Sequence, residues 1–309
     1  MKAITLGVHV LDVLVRPVER IPEGQGGELV EEIKITAAGS AGGTALTLAK
    51  LGAEVRSAGA VGTDATGDML LRLLGDGGID TSLVLRREGV PTSATVLPIR
   101  PNGDRPALHV IGANGAYGVD DAPRDAIAET DYLHFGGPEF MGGEAAAQVL
   151  QHARENGVVT SADVLAPGDP GLLEWVAGAL PHVDWFFPND DQVLAFTGES
   201  DLEAGCRALV GRGVGCVVAT RGAEGVLIVD AEGSESVPAF QVDVVDTTGC
   251  GDSFVAGFLR GLSLGRDRRE AAVLGNAAAA LVAQGLGSDA GDFDLERADD
   301  FARSTPTAA

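Results

Sequence analysis

The chain has 309 residues, enough for one large α/β domain or one domain with an insert, and its 45% apolar content is ample for a core. Its 22 Lys and Arg stand against 45 Asp and Glu, a net charge of −23. That balance argues against nucleic acid and anionic membrane surfaces as partners, which need basic neutralisation, and is accounted for by solubility. It leaves a nucleotide site open, because backbone N–H groups hold phosphate without net positive charge.

Residues 3–10 read as a buried strand. The one basic residue and short apolar run at the start do not make a secretory signal, and no apolar stretch is long enough to span a membrane. Residues 11–36 differ: alternation over 29–35, punctuated by Pro17, Pro22 and glycines 24, 26 and 27, predicts half-exposed antiparallel strands. A glycine-rich stretch over 38–45 precedes a helical pattern at 46–51 that Gly52 ends. A strand follows at 55–61, a turn at 62–67 and a helix at 68–74. Residues 92–99 and 106–111 predict a hairpin across Asn102-Gly103.

Beyond residue 122, strands and helices alternate. Strands are expected at 132–135, 158–163, 185–188, 216–220 and 226–229, with helices at 144–156, 171–179, 192–196 and 202–211. Two helices, 252–264 and 269–284, close the chain, with Gly265 as a stop signal and a frayed tail over 304–309. The alternation predicts a mostly parallel sheet covered on both faces. The antiparallel clusters at 11–36 and 92–111 are out of keeping with it and read as a small β-rich lid over the carboxyl ends of the strands, inserted in a single domain spanning 1–309. Cys206, Cys216 and Cys250 form no CxxC pair, zinc pattern or disulfide framework, which points to reducing cytoplasm.

The most informative stretch is residues 244–259. An apolar run leads into Asp246-Thr247-Thr248-Gly249-Cys250-Gly251-Asp252 and then directly into a helical pattern. Gly249 and Gly251 let N–H groups crowd together, and the helix start adds unpaired donors and the positive end of its dipole. Such an assembly binds phosphate. Asp252 within it reads either as a cap or as a base that deprotonates an attacking hydroxyl. No GxxxxGK[ST] occurs. Gly285-Leu286-Gly287-Ser288-Asp289-Ala290 fits a loose dinucleotide pattern but follows a helix rather than a strand, and is discounted.

The 246–252 segment resembles the second signature of the ribokinase-like, or PfkB, carbohydrate kinases, DT[TA]GAGD, with Cys250 in place of the common Ala. The resemblance extends along the chain through Gly7 to Asp12, the run 39–45 followed by Leu51-Gly52, Val61 to Asp64 with Gly67, Asn102 to Arg105, Pro188-Asn189 and Thr220 to Gly225. It implies an ATP- and Mg²⁺-dependent kinase with the ribokinase-like fold. Asp252 would be the general base, and Gly249, Cys250 and Gly251 would supply anion-hole N–H groups. Asp12, Gly39, Gly43 and Arg105 would line the sugar site. Asn189, Thr220, Gly222, Gly225, Asn276 and Ala279 would lie at the nucleotide. Asp246 and Thr248 match positions that form a monovalent-cation site, for K⁺, in some members.

Each role has a plain structural counterpart: a turn for Asp12, Asp246 and Thr248, a helix start for Gly39, a solvated hairpin charge for Arg105, Ala-rich packing for Asn276 and Ala279. His9, His109 and His134 read as core histidines satisfied by backbone, with a sugar-facing place on the lid as the alternative for His109. Two positions depart from the family pattern. Gly43 stands where an Asn is usual, and Gln192 where the Asn-x-x-Glu motif has Glu, with Asp190 and Asp191 adjacent to compensate. The reading is phosphorylation of a primary hydroxyl of a small sugar or sugar derivative, with no nucleic-acid or membrane partner. The alternatives are a nucleoside kinase of the same fold and a non-catalytic sugar- or nucleotide-binding member. A homodimer through the lid would use Ile33, Ile35, Val96 and Leu97.

Overall fold

Runs without a polar side, such as residues 3–6, 216–219 and 226–229, form strands buried on both faces. The computed structural model describes residues 1–101, 104–165 and 170–308. The chain opens with β1 (Lys2–Gly7), β2 (Val10–Arg16), β3 (Glu32–Ala38), α1 (Ser40–Lys50), β4 (Glu54–Gly62), α2 (Ala65–Asp76), β5 (Asp80–Arg87), β6 (Ala94–Pro98) and β7 (Leu108–Val110). Then come α3 (Arg124–Ala128), β8 (Tyr132–Gly136), α4 (Gly143–Glu155), β9 (Val159–Asp163), α5 (Pro170–Val176), β10 (Trp185–Phe186), α6 (Asp190–Thr197) and α7 (Leu202–Val210). The last elements are β11 (Cys216–Thr220), β12 (Val226–Asp230), β13 (Ser234–Val237), α8 (Cys250–Ser263), α9 (Arg268–Ala283) and α10 (Leu295–Ser304).

Among the described residues nine strands form one sheet, in the order β13-β12-β11-β10-β9-β8-β1-β4-β5. It is parallel from β5 to β11, and β12 and β13 are antiparallel. Ile4 and Leu6 point to a core shared with α4 and α7. Ala3 and Val55 point to the opposite face, covered by α1 and α2, and Val218 and Ile228 point to α8 and α9. Four strands form a separate small sheet, β3-β2-β6-β7.

The expected mostly parallel sheet and second β cluster are both present. β5, β13 and α10 were not anticipated: β5 and β13 carry exposed charged positions, which blur their apolar pattern. The helix expected at 46–51 begins earlier: from Ser40 onward the glycine-rich run is the buried start of α1. The tail is not frayed, since the Gln241 N–H donates to Pro306 O and the Ala308 N–H to Ala239 O. The hairpin turn at Asn102-Gly103 lies outside the described residues, but β6 and β7 on either side of it pair antiparallel as expected.

Helices α8 and α9 approach closely through small residues. A Cβ built on Gly257 would lie 2.7 Å from Gly275 Cα, and one on Gly261 would lie 2.7 Å from Ala271 Cα. Phe254 and Phe258, from the same helix, pack edge-on against Phe187 beside β10. α8 is therefore wedged between α9 and the sheet, and its first turn is held at the carboxyl ends of the strands.

Candidate active site

A cleft of about 780 Å³ opens where β9, β10 and β11 end, between the main sheet and the inner face of the small one. This is where open α/β sheets bind ligands. The loop before α8 forms its floor. Gly249 turns the chain into the helix with φ +77°, and a Cβ there would lie 2.6 Å from Ser288 Cα. Only glycine fits this turn. Among the described residues the N–H groups of Gly249 and Gly251 meet no acceptor, and both residues line the cleft. The Cys250 N–H is engaged differently, donating to Thr247 O at 3.3 Å. Its thiol faces α9, 3.6 Å from Ala279 O, and burial pushes its pKa up to about 12.

Asp252 sits in the first turn of α8, half-buried, with its carboxylate on the cleft. Burial, reinforced by the nearby Asp12 and opposed by Arg105, raises its pKa from 3.8 to about 7. Across from it, β2 places Asp12 on the inner face of the small sheet. Burial raises its pKa to about 6, against the Thr95 hydroxyl and Arg105. Arg105 reaches over the cleft and donates from Nη1 to Thr248 Oγ1 at 2.5 Å. Gly39, at φ +86°, caps α1 where a Cβ would lie 2.6 Å from Val8 O. His109 lines the same wall against Thr95 Oγ1, on the cleft rather than in a core, while His9 and His134 are buried.

At the other end stand Asn189, Gln192 and Thr220. Asn189 caps α6: Gln192 N–H donates to Asn189 Oδ1 at 2.7 Å, and Asn189 N–H donates to Gln192 Oε1 at 2.9 Å. The carboxamide that stands where a Glu is usual is thus part of a reciprocal helix cap.

With this geometry in place, comparison with known proteins decides the family. The pfkB family carbohydrate kinase model matches residues 7–293. The chain belongs to the PfkB family of carbohydrate kinases. An ATP-dependent ribose-1-phosphate kinase from Halopiger xanaduensis is 30% identical over 297 residues, covering 96% of this chain and 92% of its own. A deoxyribokinase from Salmonella typhi is 29% identical over 268 residues, covering 84% of each. A ribokinase from Thermotoga maritima shares the fold with TM-score 0.82 at 22% identity, over 98% of this chain and 99% of its own. The protein is an ATP-dependent sugar or nucleoside kinase. Among its described residues no helix is long and apolar enough to cross a membrane.

Several residues singled out in the sequence of this kinase do not line the cleft. Gly43 lies beneath it: a Cβ there would lie 2.3 Å from Asp252 Oδ2, so this position packs against the carboxylate from behind. Asn276 donates to Pro238 O at 2.9 Å and ties α9 to the segment after β13, and Ala279 accepts the Cys250 thiol. Gly225 is wedged against Val237 O, and Gly222 forms an open turn. Asp246 is buried beside the loop, where its Oδ1 accepts the Thr248 N–H and hydroxyl and its Oδ2 accepts Gly287 N–H.

The sequence reading missed Asp163. It ends β9, lines the cleft, and has a buried Oδ1 with no hydrogen-bond partner. Burial, with Asp252 and Glu139 nearby, holds its pKa well above the carboxylate range. A lone Asp at the end of a strand carries no spacing signal; the topology puts it beside Asp252.

Proposed function

We propose that the kinase transfers the γ-phosphoryl group of ATP to a primary hydroxyl of a small sugar or sugar derivative. The acceptor oxygen attacks phosphorus in line, its proton passes to Asp252, and ADP leaves. The free N–H groups of Gly249 and Gly251 stabilise charge on the moving phosphoryl group, and Arg105 adds a cation at the same place. Asp12 accepts hydrogen bonds from acceptor hydroxyls, as a carboxylate with no donors of its own is suited to do. The small sheet acts as a lid whose closure keeps water from the phosphoryl group.

The observation that carries this reading is Asp252 itself: a half-buried carboxylate with its pKa raised to about 7, at a helix N-terminus beside unpaired N–H groups. A group poised near neutrality is what a general base needs. Mg²⁺ fits the remaining donors. No cluster of three or more acidic, His or Cys side chains occurs among the described residues, and Asp163 offers a buried oxygen with no hydrogen-bond partner, 3.8 Å from His134 Nε2, which suits an ion brought mainly by phosphates. Asp163 with Asn189 and Gln192 would hold it, and when bound it would neutralise phosphate charge. A fold neighbour from E. coli, 22% identical with TM-score 0.86, was solved with ATP and Mg²⁺.

A second reading, nucleoside phosphorylation, is favoured by the apolar wall of Val10, Leu97, Ile111, Phe140 and Leu165, which suits a base better than a bare sugar. An ADP-release assay across sugars, sugar phosphates and nucleosides separates the two. In the same assay Asp252→Asn should lower kcat by about 10²–10⁴. Turnover surviving within a few-fold would refute Asp252 as the base.

A further inference from the structure

The resemblance to cation-dependent members directs attention to Asp246 and Thr248, where the Asp246 oxygens are engaged by the chain and Ser288 Oγ is buried with no hydrogen-bond partner. Both Asp246 carboxylate oxygens accept hydrogen bonds from the chain, from Thr248 and from Gly287. The neighbouring oxygen-rich segment is the loop after α9, residues 284–291. Its Leu286 carbonyl accepts from Lys34 Nζ at 2.7 Å. Its Asp289, Ala290 and Gly291 carbonyls accept from Lys50 Nζ at 2.7, 2.9 and 2.6 Å. Lys34 Nζ also lies 2.6 Å from Asp289 Oδ1, and Lys50 stands 5.0 Å above the Phe293 ring. An ammonium has three donors, and three converging carbonyls use all of them on Lys50.

This loop bears on the chemistry directly. It sends Gly287 N–H to Asp246, and its Ser288 forms the wall against which Gly249 must be glycine. Moving the loop moves the anion hole. We infer that Lys50, with Lys34, is a positioning residue that does the work of a monovalent cation, so that the anion hole is set without K⁺. The ammonium groups are fixed to α1 and β3, and their occupancy is independent of salt composition.

The experiment compares wild type, Lys50→Ala and Lys34→Ala in KCl, NaCl or tetramethylammonium chloride at equal ionic strength. Thermal unfolding of the free protein is read alongside turnover. Wild type should give the same kcat within about twofold in all three salts, and a Tm that K⁺ shifts by less than about 1 °C, since a vacant selective site would link K⁺ binding to stability. Lys50→Ala should lose about tenfold in kcat by displacing the loop, and KCl should restore part of that loss and raise the variant's Tm, as tetramethylammonium chloride should not. Specific activation of wild type by K⁺ with a raised Tm would overturn the inference, as would a Lys50→Ala protein with the wild-type rate. Should Lys50→Ala fail to fold, Lys34→Ala and the wild-type salt series still decide. The activity arm rests on the kinase mechanism proposed above; the unfolding arm needs no acceptor, so failure of one is distinguishable from failure of the other.

Discussion

Asp252 is held at a cost to the fold. Its carboxyl has a pKa near 7 in the folded protein against 3.8 for an ordinary Asp. The native state therefore binds this proton more tightly than the unfolded state. Stability falls as pH rises between those two values, and the loss is complete above the folded pKa. Asp252→Asn, which abolishes the proposed base, should raise unfolding free energy at pH 8 by on the order of 2–4 kcal/mol and leave it unchanged near pH 4. Denaturant titrations at the two pH values read this directly. A variant no more stable at pH 8 would show that the carboxylate is better solvated than its burial implies. Gly43 is coupled to the same group. Gly43→Asn, which recreates the residue usual at this position, should push against Asp252 Oδ2, cost about 1–3 kcal/mol and lower kcat by about 10² through misplacement of the carboxylate. The missing amide is thus a packing requirement in this chain.

The elements differ in how legibly the sequence announces them. The strand–loop–helix unit around residues 246–252 could be read at once, because Gly249 meets a conformational requirement and Gly251 leaves its N–H open to a ligand. β5, β13 and α10 could not: they lie at the sheet edge or outside it and mix charges with apolar residues. The helical pattern is legible only from residue 46, yet Gly42 and Gly43 are already buried in α1, with Gly43 pressed by Asp252 of α8. Half of the site was legible as motif. Asp163, the Lys50 clamp and the Gly43 contact were not, since each depends on residues far apart in sequence. The close α8–α9 packing gives an element-scale prediction. A Cβ on Gly275 would lie 2.8 Å from Phe254 O and 2.9 Å from its ring. Gly275→Val should cost about 1–3 kcal/mol and lower Tm by several degrees in a calorimetric scan. An unchanged Tm would mean that α9 can slide away from α8.

At the scale of the molecule, the small sheet has two unlike faces. Leu14, Leu97 and Ile99 turn inward and pack with Leu286, so Leu97 is not available to a partner. The outer face aligns Ile35, Val13, Val96 and Leu108 in one row across all four strands. Ile35, Val96 and Leu108 in that row are exposed, Leu108 by 63%. An apolar row of this kind on an otherwise acidic protein suits a second copy of the same sheet. The proposed dimer should appear as twice the chain mass in light scattering. Leu108→Asp should return it to a single chain, and a wild-type protein that is monomeric at tens of micromolar (about 10⁻⁵ M) would end the proposal.

The loop at residues 246–252 also bears on how this lineage can change. It is hemmed in where Gly249 meets Ser288 and where Asp252 meets Gly43, so a new side chain at either glycine collides with its neighbour. The acceptor wall is built otherwise. Thr95, which is buried, and His109 and Arg105, which are exposed, come from the small sheet and its connection, where an exposed residue can be exchanged at little cost to the core. On the mechanism proposed above, mutational drift would be channelled, with the transfer chemistry held fixed while the choice of acceptor stays free to change. Relatives about 30% identical that are named for ribose 1-phosphate and for deoxyribose are what such a partition would leave behind.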